Sequence, residues 1–258
     1  MALLVTVDLG NTRCKLRAWS DEDRPGAPLA AIDLASRPGL GAEALAWLAS
    51  RARGARAVAL ASVASPEVEE ELAAALREHA PLALRPSAGL EVDCAEPERV
   101  GADRLYAARG ALELVGRSAI VVDAGTALTV DALRAGTGRA TFLGGAIAPG
   151  AALGAEALAR DTARLPRVEP RAGVPALGRD TRGALLAGLV HGLRGAAREL
   201  ADAVAREAGL EGSPAVVTGG ARSLLLEPSP CFGPREVRVD PELVHRGLLA
   251  ALRAAPRP

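Results

Sequence analysis

The sequence contains two similar stretches, Val5-Thr6-Val7-Asp8-Leu9-Gly10-Asn11 and Ile120-Val121-Val122-Asp123-Ala124-Gly125-Thr126. In each, an apolar run ends in an Asp-x-Gly step and a polar residue, a pattern that predicts a buried strand followed by a tight turn. The two aspartates stand 115 positions apart (123 minus 8) in a chain of 258 residues. The repeat therefore predicts two similar α/β halves that face each other across a cleft, residues 1–117 and residues 118–258.

Hydrophobic periodicity extends this prediction along the chain. Apolar and polar residues alternate after each Asp-x-Gly step, which predicts a returning strand in both halves. Residues 21–28 are expected to form a polar turn, and the proline-containing residues 81–97 an irregular segment. The predicted strands are residues 3–8, 14–19, 29–34, 57–62, 119–123, 127–133, 140–147, 215–218 and 236–239, and the predicted helices are residues 42–52, 66–78, 101–115, 151–163, 181–208 and 241–252.

Composition narrows the classes of function. The chain has 31 basic and 31 acidic residues, and only 2% of its residues are aromatic. A nucleic-acid-binding protein usually carries a basic excess and aromatic stacking residues, so nucleic acid is not expected as the main ligand. The sequence has no apolar run of membrane-spanning length and no signal-like start, and its three cysteines are far apart. We therefore expect a cytoplasmic protein without a membrane partner.

The residues around the first Asp-x-Gly step suit phosphate binding. Gly10 allows close backbone approach, Asn11 and Thr12 add donors, and turns of this type bind anions. Asp8 is placed to hold Mg²⁺ through water, because Mg²⁺ prefers oxygen ligands and keeps several waters. Lys15, the only lysine in the chain, could reach a β- or γ-phosphate. Asp, Gly and Asn are also ordinary turn residues, so a plain β-turn remains the alternative for either copy alone.

A second group of polar residues, Gly101-Ala102-Asp103-Arg104, opens a predicted helix. Asp103 could accept a proton from an attacking hydroxyl, and Arg104 could bind a substrate carboxylate with two hydrogen bonds. The alternative is structural: an acid that complements the helix dipole, next to a surface arginine.

The remaining glycine-rich and polar segments are less specific. Thr218-Gly219-Gly220 ends a strand and opens a helix, which is a natural anion or nucleoside contact. The glycine-rich residues 144–150 either let the backbone approach a nucleotide or pack a turn. Asp180 is expected to cap the helix that Thr181 begins. The three histidines are isolated, and each is expected to be a core or surface residue.

Together these motifs resemble the type III pantothenate kinases, also called the Bvg accessory factor family, over nearly the whole chain. The resemblance rests on residues 8–15, on Pro97 with residues 101–104, on residues 123–131 and 144–150, on residues 162–166, on residues 181–188 and on residues 218–220. It implies a duplicated ribonuclease-H-like fold of the actin, sugar-kinase and heat-shock ATPase superfamily, with the active site between the halves. It also implies ATP-dependent phosphorylation of pantothenate, the first step of coenzyme A synthesis.

The resemblance further implies roles for single residues. Asp103 would be the catalytic base, and Gly101, Ala102, Asp103, Arg104 and Thr181 would bind pantothenate. ATP would be held by Asp8, Gly10, Asn11, Thr12, Arg13, Lys15 and Thr126. Mg²⁺ would accompany the ATP, Asp123 would hold a monovalent cation (K⁺ or NH₄⁺), and the protein would be a homodimer with its substrate site near the subunit interface.

One position departs from the family pattern. The family often has an aromatic residue three positions before the proline that corresponds to Pro97, and this chain has Cys94 there. Either the wall of the pantothenate pocket is supplied by other residues, or pantothenate binding is altered. A regulator without enzymatic activity, or another kinase or phosphatase of the superfamily, is the alternative function.

Overall fold

The computed structural model describes residues 3–21 and 26–254, and residues 22–25 of the predicted polar turn lie outside that part. The strands within it are β1 (Leu3–Leu9), β2 (Arg13–Ser20), β3 (Ala30–Ala35), β4 (Ala55–Ser62), β5 (Leu82–Leu84), β6 (Glu91–Val92), β7 (Ala119–Ala124), β8 (Ala127–Arg134), β9 (Thr141–Pro149), β10 (Ala215–Thr218) and β11 (Val237–Val239). The helices are α1 (Leu40–Arg51), α2 (Pro66–His79), α3 (Ala102–Val115), α4 (Ala151–Asp161), α5 (Thr181–Glu207), α6 (Ser223–Leu226) and α7 (Leu243–Ala254).

The chain divides into two compact units. Unit 1 comprises the described parts of Met1–Leu90, Glu96–Leu114 and Leu243–Pro258. Unit 2 comprises Glu91–Ala95 and Val115–Glu242. These units differ from the two predicted halves in three respects. The closing helix α7 belongs to unit 1, Glu91–Ala95 belongs to unit 2, and unit 2 resumes at Val115 and not at residue 118.

The two sheets repeat one topology. Unit 1 has the strand order β3-β2-β1-β4-β5, and unit 2 has β9-β8-β7-β10-β11, with β6 added beside β9. In both, the first three strands pair antiparallel and the last two join in parallel. The repeated Asp-x-Gly step thus sits at the same place in each sheet, at the end of the central antiparallel hairpin. The predicted duplication of the fold is confirmed.

Unit 1 buries the two faces of its sheet differently. One face of β1, with Val5, Val7 and Leu9, packs into an apolar core with α1 and α2. The opposite face places Thr6 beside Arg17 and Asp8 beside Lys15 in register. Because side chains alternate along a strand, the polar residues of the site share one face and the core residues share the other.

Helix α7 covers part of that polar face. Leu249 packs in a small apolar cluster with Leu4 and Trp19, and Arg253 donates a hydrogen bond to the carbonyl of Ser20. Helices α3 and α7 cross closely: a methyl group on Gly247 would lie 1.9 Å from the Tyr106 carbonyl oxygen. A side chain at that glycine would collide with the backbone of α3, so the crossing requires glycine.

Unit 2 is organised around the long helix α5. Its buried face, which includes Val190, Ala197 and Ala201, packs with Ile120 and Val130 of the sheet in one apolar core. The predicted cap is confirmed, because the Asp180 carboxylate accepts a hydrogen bond of 2.7 Å from the Gly183 amide.

The predicted elements agree with the structure except in short segments. The segment predicted to be irregular contains the short strands β5 and β6, and α4 ends at Asp161, before the predicted end at residue 163. Strands of two or three residues make few local contacts, so only their pairing with β4 and β9 defines them. In the described part of the chain, none of the helices combines the length and apolar composition needed to cross a membrane.

Candidate functional site

The first loop of the site is the tight turn between β1 and β2. The amide of Gly10 donates a hydrogen bond of 2.9 Å to the carbonyl of Arg13, which closes the turn around Asn11 and Thr12. Asn11, Thr12 and Arg13 are exposed, while the strand residues before them are buried. The loop therefore presents donors to solvent from a rigid base, as an anion-binding turn requires.

Asp8 and Lys15 face each other across this hairpin. The ammonium Nζ of Lys15 lies 3.4 Å from Oδ2 of Asp8, and Asp8 is only 9% exposed. Burial raises the pKa of the Asp8 carboxyl, the Lys15 charge lowers it, and the Asp103 charge raises it again. The arrangement holds a carboxylate and an ammonium together at the base of the loop.

The start of α3 supplies the second part of the site. Oδ1 of Asp103 accepts a hydrogen bond of 2.8 Å from the Arg104 amide, in the first turn of the helix. A methyl group on Gly101 would lie 2.6 Å from that oxygen, so glycine leaves room for the carboxylate. Since the charge of Asp103 acts on the pKa of Asp8, unit 1 brings Asp8, Lys15 and Asp103 into one electrostatic neighbourhood.

The second Asp-x-Gly loop lies in unit 2, where Asp123 stands beside Thr218 of β10 and Thr129 of β8. The backbone of two glycines approaches its carboxylate closely. A methyl group would lie 2.4 Å from Asp123 Oδ1 if placed on Gly219 and 3.3 Å if placed on Gly125. The backbone of both glycines thus lies close to a carboxylate oxygen, and carboxylate oxygens are ligands of hard cations, so the residue types present are compatible with a monovalent ion.

Thr126 is exposed in the turn that follows Asp123, and its carbonyl accepts a hydrogen bond of 3.1 Å from Gly150. A methyl group on Gly150 would lie 2.4 Å from the Thr126 carbonyl oxygen. At Gly219 the backbone has φ of +94°, a conformation that favours glycine. Gly150 and Gly219 thus have structural reasons of their own beside any contact with a ligand.

Thr181 lies apart from both loops in sequence, as the first residue of α5. It lines a groove between α4 and α5 with a cavity volume of about 390 Å³. The other lining residues are mostly leucine: Leu158, Leu165, Ala184, Leu185, Gly188 and Leu189. Thr181 is thus a hydroxyl at the edge of an apolar groove of unit 2.

The sequence assigned no role to Ser36, which contacts the first loop, or to Asp131, which lies opposite Gly145 of β9. Ser36 hydrogen bonds to the carbonyls of Gly10 and Thr12. Asp131 is 1% exposed, and a methyl group on Gly145 would lie 2.5 Å from its Oδ1. The sequence near the end of β3 does not predict the contact of Ser36 with Gly10, because the two residues lie 26 positions apart in the chain.

Comparison with known proteins identifies relatives of this chain. Residues 4–203 match the family model for type III pantothenate kinase. A type III pantothenate kinase from Moorella thermoacetica is 32% identical over 264 residues, covering 95% of this chain and 97% of that protein. Another from Agathobacter rectalis is 39% identical over 132 residues. This second alignment covers 51% of this chain and spans half the length of the Agathobacter protein (50%).

Solved structures support the fold. A ROK family glucokinase from Streptomyces griseus in complex with glucose and AMPPNP superposes with a TM-score of 0.54 at 17% identity, covering 98% of this chain and 99% of that one. The predicted fold of the actin-like ATPases and sugar kinases is therefore confirmed. Because the family model matches well over half of the sequence and the Moorella relative aligns over nearly its full length, this chain belongs to the type III pantothenate kinase family.

Proposed function

We propose that this protein uses ATP to phosphorylate pantothenate to 4′-phosphopantothenate, the first step of coenzyme A biosynthesis. One observation carries the proposal beyond family membership: unit 1 holds the Asp103 carboxylate in the first turn of α3, where its charge, after burial and the opposing charge of Lys15, acts on the pKa of Asp8. A proton acceptor beside a phosphate-binding loop is what transfer from ATP to an alcohol requires.

Asp103 is the proposed catalytic base. The 4′-hydroxyl oxygen of pantothenate forms a bond to the γ-phosphorus, and the bond from that phosphorus to the β,γ-bridging oxygen breaks. ADP leaves with the electron pair of the broken bond, and Asp103 takes the hydroxyl proton. Positioning of the two reactants and charge stabilisation provide most of the catalysis in such transfers.

The β1–β2 turn is the proposed phosphate-binding loop. Gly10, Asn11, Thr12 and Arg13 surround the phosphates, and Lys15 supplies a compact positive charge. Asp8, anchored at the base of the loop, is placed to hold Mg²⁺ through water. When bound, Mg²⁺ neutralises negative charge on the phosphates.

Asp123 is the proposed ligand of a monovalent cation, K⁺ or NH₄⁺, and Thr126 the proposed nucleotide contact in unit 2. The Asp123 carboxylate supports this assignment, because its oxygens are ligands of the kind that hard cations take and the backbone of Gly219 and Gly125 lies close to one of them. A cation there would offset the negative charge that the triphosphate brings.

Pantothenate is proposed to bind through Gly101, Ala102, Asp103 and Arg104, with Thr181 as a further contact. The Arg104 guanidinium suits the pantothenate carboxylate. Cys94, which stands where the family often has an aromatic residue, is half-buried, and its sulfur would lie 3.5 Å from a methyl group on Gly144. A smaller side chain there gives the pocket wall less apolar area, so we expect weaker pantothenate binding than an aromatic residue would provide.

The groove beside Thr181 supports a homodimer. Its lining is apolar, and Leu158 and the neighbouring Leu177 are 37% and 72% exposed. We propose that a second copy of this chain covers it, as the family resemblance implies. Light scattering after gel filtration should give a dimer, and Leu158→Asp should shift it toward the monomer. Leu29→Asp, which changes an exposed leucine of unit 1, should leave the dimer intact; a monomeric wild type would contradict the proposal.

The direct test is an assay of the purified protein with ATP, Mg²⁺ and pantothenate, with and without K⁺, in which 4′-phosphopantothenate is detected by mass spectrometry. The proposal predicts product that depends on both ATP and K⁺. ATP binding without product would favour a regulatory protein. Phosphate release without an acceptor would favour a phosphatase of the same fold. The proposed reaction also requires a cytoplasmic location, where ATP is available.

A further inference from the structure

The end of β3 contacts the phosphate-binding loop at two points. The hydroxyl of Ser36 donates a hydrogen bond of 2.7 Å to the carbonyl of Gly10, and the amide of Ser36 donates one of 3.1 Å to the carbonyl of Thr12. Ser36 follows the last paired residue of β3, so this contact continues the β2–β3 ladder beyond the strand. One half-buried residue thus holds two carbonyls of the β1–β2 turn, one through its hydroxyl and one through its backbone amide.

These contacts also set the direction of the amides in the loop. A peptide unit is planar and trans, so its N–H points opposite to its C=O. With the Gly10 carbonyl directed to Ser36, the N–H of Asn11 must point away from Ser36. The same geometry at the Thr12 carbonyl orients the N–H of Arg13. Ser36 therefore fixes the planes of two of the peptide units that surround the proposed phosphate site.

We propose that Ser36 is a positioning residue for nucleotide binding: it keeps the β1–β2 turn in the conformation that presents its amides to the phosphates of ATP. The inference rests on the proposed function, since it assigns a role within the same loop. It concerns a residue that contacts the loop backbone and does not take part in the chemical step.

The physical reason is preorganisation. Without such a contact, the peptide planes of the β1–β2 turn can rotate, because the backbone groups of the exposed Asn11 and Thr12 can hydrogen bond to water instead. Binding of the phosphates would then have to restrict that motion, at a cost in affinity. The hydroxyl of Ser36 restricts it in advance, and its loss should weaken nucleotide binding more than it slows phosphate transfer.

The test compares three variants by isothermal titration with the non-hydrolysable ATP analogue AMP-PNP and Mg²⁺, together with steady-state kinetics. Ser36→Ala removes one hydrogen bond to the loop, so we expect the Kd for AMP-PNP and the KM for ATP to rise about three- to tenfold. The kcat and the KM for pantothenate should change less than twofold. Ser36→Thr keeps the hydroxyl and should restore affinity.

Ser50→Ala is the matched control, because the Ser50 hydroxyl donates its hydrogen bond to the Trp47 carbonyl within α1 and not to the β1–β2 turn. It should leave both constants unchanged. Thermal melting of all variants separates positioning from simple destabilisation. An unchanged Kd in Ser36→Ala, with or without a lower melting temperature, would overturn the inference, as would equal loss of affinity in Ser36→Thr.

The same titration distinguishes this inference from the proposed function. A wild-type protein that binds AMP-PNP but forms no phosphopantothenate would contradict the proposed substrate, and the comparison of Ser36 variants by binding would still stand. A wild-type protein that does not bind the analogue would contradict both.

Discussion

The side chains of Thr6 and His245 meet at 2.8 Å, Oγ1 to Nδ1, although they are 239 positions apart in the chain. Trp19 Nε1 donates to the same Thr6 oxygen at 2.8 Å, so the Thr6 hydroxyl can donate in turn to a neutral imidazole that accepts at Nδ1. His245 is 1% exposed and lies on α7. The contact joins the C-terminal helix to β1, two residues from Asp8.

This contact predicts a loss of stability in acid. Burial, followed by the charges of Arg17 and Lys15, lowers the pKa of His245 well below its usual value of 6.5. Below pH 6.5 the unfolded chain binds a proton at this site that the folded protein does not bind. The free energy of unfolding should therefore fall as the pH drops below about 6.5, by at most about 1.4 kcal/mol per pH unit.

Urea unfolding at several pH values between 7.5 and 5 measures this slope. His245→Gln removes the titrating group, so it should lower stability at pH 7.5 but flatten the dependence on pH. His191→Gln, which replaces an exposed imidazole on α5, is the control. An unchanged slope in His245→Gln would contradict the prediction.

Replacement of Lys15 should affect ATP more than pantothenate. Lys15→Met removes a charge that lowers the pKa of Asp8 and that we assign to the phosphates. A charge-assisted hydrogen bond contributes about 1.5–3 kcal/mol, so we expect the KM for ATP to rise about 10- to 100-fold. Lys15→Arg should restore only part of the affinity, because the guanidinium is larger and planar.

Since the chain has no other lysine, amine-selective acetylation followed by peptide mass spectrometry provides a second measurement. ATP with Mg²⁺ should protect Lys15 from acetylation, while the peptide that carries the N-terminal amine serves as the internal reference. Equal labelling with and without ATP would argue against contact between Lys15 and the phosphates.

Asp103→Asn should lower kcat about 100- to 10,000-fold, the range for loss of a positioned general base. Its KM for ATP should stay within about threefold, since the phosphate loop is unchanged. Glu113→Gln, which removes a carboxylate from an exposed ion pair at the other end of α3, is the control for charge on this helix. Normal turnover in Asp103→Asn would exclude Asp103 as the base.

Asp123→Asn should remove activation by K⁺. Activity is measured at constant ionic strength while KCl replaces choline chloride, and the wild type should rise with KCl while the variant should not. Glu211→Gln, an exposed substitution in unit 2, should behave as the wild type. Persistence of full activation in Asp123→Asn would place the cation elsewhere.

From the close crossing of α3 and α7 we predict how two glycine substitutions change the free energy of unfolding. Gly247→Ala would place a methyl group 1.9 Å from the Tyr106 carbonyl oxygen, and overpacking of this kind costs about 1–3 kcal/mol or more. Gly195→Ala, where nothing lies within 4 Å of the added carbon, should instead stabilise α5 by up to about 1 kcal/mol. Urea midpoints for the two variants should move in opposite directions.

Much of the fold follows from local pattern. The alternation around residues 5–19 and residues 120–133 identified both hairpins, because the period of side chains along a strand depends only on neighbouring residues. The repeated Asp-x-Gly step identified the duplication, which the common strand order confirms. Asp180 was recognisable as a helix cap, since a cap is formed within four residues.

Local sequence pattern could not predict the short strands β5 and β6, nor the unit to which α7 belongs. β5 and β6 have too few residues for a periodic pattern and exist through pairing with β4 and β9. Helix α7 was predicted as a helix, but its amphipathic pattern does not indicate which of the two sheets it covers. Its glycine crossing and the His245 contact place it with unit 1.

The sequence by itself thus determined the two hairpins, the duplicated α/β topology and the candidate residues Asp8, Lys15, Asp103 and Asp123, since each belongs to a short motif. Tertiary structure alone decided that Asp103 lies near enough to Asp8 to act on its pKa, and that Ser36 holds the carbonyl of Gly10. The physical reason is that hydrogen bonds and charges act over a few ångströms in space. Residues tens of positions apart come within that range only after the strands have paired and the helices have packed.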